Sequence, residues 1–130
     1  MKTISVLAFK NAAPGSITDS VYFFEKANEY LIKNGKPSMF NVNVVGFTDE
    51  VKINGGRYVI KTDRTFDKAT YPDLIIIPSL TGHASSATYI NKDCTSWISE
   101  AYKSGSEVAS LCTGAFLLAF SSRVYSKSEN

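Results

Sequence analysis

The segment that most restricts the fold is an uninterrupted aliphatic run, Leu74-Ile75-Ile76-Ile77, inside the segment 71–78. A strand made only of apolar residues has both faces covered, which is typical of the inner strands of a parallel sheet. Parallel strands need long crossover connections, and these are usually helices. The run therefore predicts an α/β architecture in which further strands alternate with helices.

Apolar patterns on either side of the run supply those elements. They predict strands at 4–9, 40–47, 71–78 and 107–111, helices at about 16–34, 91–104 and 113–120, and a β-hairpin formed by 51–53 and 57–60 around Asn54-Gly55-Gly56. Alternation of strands and helices predicts a flavodoxin-like, doubly wound, mainly parallel sheet with helices on both faces. In such sheets the ligand crevice lies at the carboxyl ends of the strands.

The first predicted helix carries a cap signal and an aromatic cluster. Ser16, Asp19 or Ser20 is expected to cap its amino end, because a side-chain oxygen there satisfies unpaired amides. Tyr22-Phe23-Phe24 is expected to pack between this helix and the sheet. The Tyr22 hydroxyl is the one group of the cluster expected to reach the crevice.

Length and charge limit the classes of protein that fit. The 130 residues, 44% of them hydrophobic, suit one domain, predicted at 1–122 with a polar tail at 123–130. The 14 basic and 12 acidic residues are scattered, so the chain has no basic face and this segment alone is not expected to bind DNA. The apolar run at 4–9 is too short for a membrane span and lacks a cleavage pattern, which predicts a cytoplasmic protein without membrane association.

The two cysteines, Cys94 and Cys112, match neither a disulfide framework nor a zinc site, and both are interpreted as reduced thiols. No metal or cofactor is predicted. Cys94 shares the apolar side of a predicted helix with Trp97 and Ile98, so its expected role is core packing.

Cys112 stands at a sharp turn between a predicted strand and a predicted helix, in Ser110-Leu111-Cys112-Thr113-Gly114. A side chain at such a turn projects above the sheet, where nearby amides and the helix dipole favour the thiolate. Gly114 is expected to let the helix pack closely. The alternative is a small buried cysteine with no chemical role.

These residues resemble a known family. The segment 109–119, together with 71–78, closely resembles the cysteine elbow and preceding strand of the ThiJ/PfpI family, within the class I glutamine amidotransferase-like superfamily. More narrowly, Cys-Thr-Gly-Ala-Phe at 112–116 and the segment 24–28 look like the amino-terminal sensor domain of AraC-type transcriptional regulators. The resemblance implies a helix-turn-helix domain further along such a protein. It also implies that this domain is incomplete at its carboxyl end, which would favour self-association.

The chain departs from the family at three places. Thr113 stands where many of the enzymes have a histidine, and threonine is no general base near neutral pH. The family's acidic residue on the first helix is expected near Tyr22, with Asp19 and Glu25 the nearest carboxylates. Where the family usually has Pro-Gly-Gly, this chain has 78–82, so a backbone oxyanion donor there is in question.

Three functions follow as hypotheses. The first is a ligand-sensing or oligomerising domain of an AraC-type regulator, not an enzyme, with a small-molecule effector and a homo-oligomeric state. The predicted site consists of the candidate thiol Cys112 and the binding residues Thr113, Gly114, Tyr22, Leu80, Thr81, Gly82 and His83. The second is a cysteine-dependent enzyme with glyoxalase-, hydratase- or amidase-like activity, for which His83 is the candidate base, although a solvated loop histidine is its simpler interpretation. The third is a dimerisation module without a ligand.

Overall fold

The computed structural model describes residues 1–81, 92–115 and 117–119 of the chain. The named elements are β1 (Lys2–Leu7), α1 (Pro14–Lys33), β2 (Phe40–Gly46), β3 (Glu50–Ile53), β4 (Tyr58–Lys61), β5 (Arg64–Thr65), β6 (Leu74–Ile77), α2 (Lys92–Lys103) and β7 (Glu107–Ser110). Residues 114–115 and 117–119 are also helical. The predicted order of strands and helices is confirmed except for the two-residue strand β5, which was not predicted, and element ends are displaced by a few residues.

The main sheet is parallel throughout, in the order β5-β2-β1-β6-β7. The connection from β1 to β2 runs toward one edge of this sheet, and the connection from β6 to β7 runs toward the other. Right-handed crossovers then place α1 and α2 on opposite faces, which is the doubly wound arrangement that the sequence predicts. Strands β3 and β4 form the predicted hairpin as a separate antiparallel pair.

Helix α1 begins differently from the sequence prediction. Its N-cap is Ala13, without a side-chain cap, and Pro14 occupies the first turn. Proline fits there because the first helical amides have no partner within the helix. The expected capping by Ser16, Asp19 or Ser20 is wrong, because the helix starts before all three.

The aromatic cluster on α1 does not pack as predicted either. Only Phe24 lies against the core, where its ring centroid is 5.1 Å from that of Phe40 on β2. Tyr22 is 60% exposed and Phe23 is also exposed. Successive helical residues differ by about 100° in direction, so three in a row do not share one face.

The sheet core follows the alternation of side chains along β1 and β2. Val44 of β2 lines a groove together with Ile17 and Val21 of α1, so the even-numbered residues of β2 face α1. Ile4 and Val6 of β1 pair in register with Val42 and Val44. Paired residues of adjacent strands share a face, and these side chains therefore form the apolar layer beneath α1.

Helix α2 packs through the side that the sequence predicts. Cys94, Ile98 and Ala101 are buried, and the Trp97 ring contacts the rings of Phe66 and Tyr71 at centroid distances of 5.2 and 5.7 Å. These contacts hold the segment between β5 and β6 against the helix. In the part of the chain that the structure describes, neither helix has the apolar length needed to cross a bilayer.

Candidate functional site

A crevice region forms where the loops after β1, β6 and β7 meet. The three strands are parallel neighbours in the sheet, so their carboxyl ends lie at the same edge. The loops that follow contain Asn11, Leu80 and Cys112 respectively. The fold therefore brings together segments about 30 to 100 residues apart in sequence, at the edge where doubly wound proteins bind ligands.

Cys112 occupies a sharp turn with an unusual backbone conformation. Its φ is 49°, in the left-handed region that few residues other than glycine adopt, and its side chain is exposed and forms no disulfide. The Leu111 amide donates to the Ile77 carbonyl at 2.9 Å, and the Gly114 amide donates to the Leu111 carbonyl at 2.8 Å. A non-glycine residue held at positive φ is typical of a functional turn, and here it presents the thiol at the crevice edge.

Gly114 allows the chain after this turn to lie against β6. A Cβ atom at residue 114 would stand 2.5 Å from the Pro78 carbonyl oxygen and 2.8 Å from the Ile77 carbonyl oxygen. Both distances are far below van der Waals contact with rigid backbone atoms. No larger residue fits without moving the elbow away from the strand.

Thr113 joins the elbow to the loop after β6. Its Oγ1 accepts a hydrogen bond from the Leu80 amide at 2.8 Å and donates one to the Leu80 carbonyl at 3.0 Å. Leu80 is only 7% exposed, so without Thr113 its buried amide and carbonyl would lack these hydrogen-bond partners. The Thr113 hydroxyl thus holds the elbow and the loop after β6 together.

The loop after β6 is also tied to the start of α1. The Ser79 amide donates to the Ser16 hydroxyl at 3.0 Å, and the Ala13 amide donates to the Ser79 carbonyl at 2.8 Å. The Thr81 amide and hydroxyl both donate to the Asn11 carbonyl, at 2.8 and 3.1 Å. The three loops of the crevice therefore form one hydrogen-bonded unit.

Sequence reasoning missed the role of Ser16 in this unit. A serine near a helix start is usually a cap, and that signal led to the wrong assignment. The contact to Ser79 spans 63 residues in sequence, and no local pattern predicts such a pairing. The one clue in the sequence was that Ser16 follows the first strand closely, because residues just after a parallel strand lie at the same edge of the sheet as the elbow.

Tyr22 lies away from these loops. It lines a groove between α1 and the β3–β4 hairpin, with Val59 and Lys61 on the hairpin side, and Lys26 Nζ stands 5.2 Å from its ring centroid. The hydrogen bonds among the described residues do not join it to Leu80, Thr113 or Cys112. A binding role for Tyr22 stays a prediction.

Two predicted site residues, Gly82 and His83, lie outside the described residues. The described residues hold no group of three or more histidine, cysteine or acidic side chains arranged to bind a metal. Within the same ranges, no carboxylate forms a hydrogen bond to the Cys112 thiol. Hydroxyls and main-chain groups build the described part of the crevice, and such groups bind and orient ligands but do not abstract protons near neutral pH.

Cys94 differs from Cys112 in its surroundings. Its side chain is completely buried, and burial raises the pKa of the Cys94 thiol far above its usual range. A low-dielectric surrounding disfavours the thiolate. Cys94 therefore packs in the core, as predicted.

Comparison with solved structures gives the class of fold, a doubly wound α/β domain with a mainly parallel sheet. A Vibrio parahaemolyticus protein provisionally described as a transcriptional regulator superposes with a TM-score of 0.74 at 23% identity, over 93% of this chain and 61% of that one. Oxidized DJ-1 of Toxoplasma gondii superposes with a TM-score of 0.64 at 15% identity, again over 93% and 61%. A two-domain Anabaena variabilis protein with DJ-1/ThiJ/PfpI-like and ferritin-like domains superposes with a TM-score of 0.68 at 20% identity, over 93% of this chain and 32% of that one.

The chain thus has the DJ-1/ThiJ/PfpI fold. It spans about a third to three fifths of the length of these three proteins. No family model and no curated protein matches its sequence.

Proposed function

We propose that the chain is the ligand-sensing domain of an AraC-type transcriptional regulator and binds a small-molecule effector without turning it over. The observation that carries this proposal is the double hydrogen bond between Thr113 and Leu80. The hydroxyl of Thr113, next to the Cys112 thiol, is used to join two loops of the crevice. A preformed crevice lowers the entropic cost of ligand binding. A solved structure of the same fold that is provisionally described as a transcriptional regulator agrees with this proposal.

The effector is expected at Cys112 and Thr113, next to Leu80 and Thr81, and a binding role for Gly82 and His83 stays a prediction. Cytoplasmic location and self-association belong to the same proposal. The isolated chain is not expected to bind operator DNA. Its scattered charges give no basic face, and a helix-turn-helix would belong to a separate domain.

Ligand-induced stabilisation of the 130-residue chain tests the proposal. A panel of small metabolites is screened by thermal unfolding, and each hit is repeated with Cys112→Ser and with Thr113→Val. A true effector raises the midpoint of the wild type, and Thr113→Val weakens this shift because the wall of the crevice loosens. Each hit is also incubated with the protein and analysed for product, and none is expected.

The genomic reading frame and the oligomeric state provide two further tests. A helix-turn-helix encoded in frame beyond Asn130 would support the regulator, and a complete gene without one would contradict it. Light scattering on the purified chain is expected to give the mass of a dimer or larger. A monomer at micromolar concentration would contradict the oligomeric part of the proposal.

A cysteine-dependent enzyme is the second candidate, favoured by the exposed thiol of Cys112 at a φ of 49°. A strained turn that presents a nucleophile is typical of enzymes with a nucleophile elbow. Such an enzyme needs a base within hydrogen-bond reach of the thiol. Product formation from methylglyoxal or a simple amide, abolished by Cys112→Ser and by His83→Gln, would establish this candidate and overturn the first.

A further inference from the structure

A polar cavity lies on the face of the main sheet opposite α1, away from the Cys112 crevice. Its volume is about 370 Å³. Its lining includes four polar side chains of β1 and β2 and two cationic side chains from β5 and the segment after it, namely Thr3, Ser5, Asn41, Asn43, Arg64 and Lys68. A cavity of this size fits a small metabolite.

Strand register explains why polar side chains gather there. Thr3 pairs with Asn41 and Ser5 pairs with Asn43, so the four side chains form a patch on one face of two adjacent strands. The residues between them point to the opposite face, toward α1. The alternation Asn-Val-Asn-Val at 41–44 therefore separates an apolar face from a polar one.

The polar side chains of this patch have unused hydrogen-bonding capacity. Ser5 is 3% exposed and lines the cavity, yet within the described residues its hydroxyl has no hydrogen-bond partner. The same holds for the side chains of Thr3, Asn41 and Asn43. Ser5 is buried, Thr3 and Asn43 are half-buried and Asn41 is exposed, so these four side chains face the open volume of the cavity. A polar ligand with hydroxyl groups can take the place of water there.

The charge of the cavity wall is positive. Arg64 and Lys68 form no ion pair, since the one ion pair in the described ranges joins Lys26 and Glu29 on α1. The nearby carboxylate of Asp63 accepts the Val44 amide at 2.7 Å.

Two other acidic groups near the cavity are similarly engaged. The Asp73 carboxylate accepts the Thr3 amide at 2.8 Å. Asp67 accepts a hydrogen bond from the Thr65 hydroxyl, which holds the pKa of that carboxyl below its usual range. The Arg64 guanidinium donates to the Asp63 carbonyl at 3.2 Å, and Lys68 lies within electrostatic reach of Asp67. Arg64 and Lys68 are nevertheless the charged residues that line the cavity, so its wall favours an anionic ligand.

We infer that this cavity binds a small sugar phosphate. The phosphate lies between Arg64 and Lys68, because a guanidinium donates two parallel hydrogen bonds to phosphate oxygens and an ammonium adds a second charge. The sugar hydroxyls meet Ser5, Asn41 and Asn43, whose hydroxyl and amide groups both donate and accept. A bare phosphate would leave these partners unused and most of the cavity empty.

Calorimetric titration of the 130-residue chain with ribose 5-phosphate, inorganic phosphate and ribose tests this site. Ribose 5-phosphate is expected to bind most tightly, inorganic phosphate more weakly, and ribose not measurably. The double variant Arg64→Gln/Lys68→Gln is expected to lose about tenfold or more in affinity for ribose 5-phosphate, because it removes two charge-assisted contacts. The matched control Lys36→Gln/Arg57→Gln removes the same charge from exposed positions outside the cavity and is expected to bind normally.

A second variant, Ser5→Ala, separates the sugar contacts from the phosphate contacts. It is expected to lower the affinity for ribose 5-phosphate several-fold while the affinity for inorganic phosphate stays unchanged. If the double variant does not fold, Ser5→Ala alone tests the site. The inference is overturned if ribose 5-phosphate fails to bind, if inorganic phosphate binds as tightly, or if the double variant and its control bind alike. A Cys112→Ser variant is expected to bind ribose 5-phosphate normally, so this test does not depend on the proposed function.

Discussion

Thr113 and Leu80 are joined through both backbone groups of the leucine, since one hydroxyl accepts from its amide at 2.8 Å and donates to its carbonyl at 3.0 Å. A single side-chain oxygen thus fixes the loop after β6 to the first turn after β7. Together with the bonds of Ser79 and Thr81 to the loop after β1, this contact joins the three loops of the crevice.

Replacement of Thr113 by valine is expected to lower the free energy of unfolding by about 1–3 kcal/mol, because valine keeps the shape but leaves the Leu80 amide and carbonyl without partners. Thr113→Ser keeps the hydroxyl and is the matched control, with an expected loss well below that of valine. Urea denaturation measures both, and hydrogen exchange at the Leu80 amide is expected to accelerate only in the valine variant. Equal stability of the two variants would contradict the structural role of this hydroxyl.

Gly114→Ala is expected to destabilise the chain by about 1–3 kcal/mol, because the new methyl group meets the Pro78 carbonyl oxygen at 2.5 Å and the backbone has to shift. Gly15→Ala is the control, since a Cβ at residue 15 has no neighbour within 4 Å and alanine favours a helix. Thermal unfolding of the two variants gives the comparison. If Gly114→Ala is as stable as Gly15→Ala, the elbow does not lie this close to β6.

Alkylation is expected to distinguish the two thiols in the folded chain. Cys112 is exposed and Cys94 is buried, so iodoacetamide modifies Cys112 first, and Cys94 reacts only when the chain opens. Mass spectrometry of tryptic peptides over a time course measures the two rates of alkylation. The variants Cys112→Ser and Cys94→Ala identify which signal belongs to which cysteine. Equal rates under native conditions would show that the elbow does not present its thiol to solvent.

Alkaline pH is expected to weaken the fold partly through Cys94. Burial raises the pKa of this thiol in the folded state, whereas in the unfolded chain it titrates near its ordinary value of about 8.5. Above that pH the unfolded chain has lost a proton that the folded chain keeps, so stability falls with rising pH, by at most about 1.4 kcal/mol per pH unit from this group.

Because other groups titrate in the same pH range, the contribution of Cys94 is measured as the difference in stability between the wild type and Cys94→Ala. Denaturation midpoints of the wild type and of Cys94→Ala are followed from neutral pH to about pH 10. The stability gap between the two is expected to shift in favour of Cys94→Ala as the pH rises. A gap that stays constant would mean that Cys94 is accessible to solvent in the folded chain.

The sequence predicted the elements whose signals are local. The aliphatic run at 74–77 became an inner strand, and the breaker Asn54-Gly55-Gly56 became a hairpin turn. Strand β5 was missed because Arg64–Thr65 is too short to show a period, and only its pairing with Val45 and Gly46 makes it a strand. Tertiary pairing of this kind leaves no trace in a short stretch of sequence.

The candidate site was likewise predicted only where its residues form a local sequence pattern. The elbow around Cys112 carries a local pattern, and the exposed thiol at positive φ lies where that pattern puts it. The contacts of Ser16 and Asn11 with the loop after β6 span more than 60 residues and were not predictable from spacing. Tyr22 was placed in the site by alignment to a family acid. The structure shows it lining a groove with Val59 and Lys61 of the hairpin, and its binding role stays a prediction.

Most of the hydrogen bonds that join the crevice loops end on main-chain atoms, at the Asn11 carbonyl, the Ser79 amide and carbonyl, and both backbone groups of Leu80. Their formation does not depend on which side chains those three positions carry. Provided that Ser16 and Thr113 are kept, the side chain of Ser79 can be exchanged at the cost of one 3.4 Å hydrogen bond to the Leu111 carbonyl, while its backbone bonds to Ser16 and Ala13 stay in place. Position 79 is therefore a place where the crevice can be redesigned to recognise a new ligand without loss of its backbone framework.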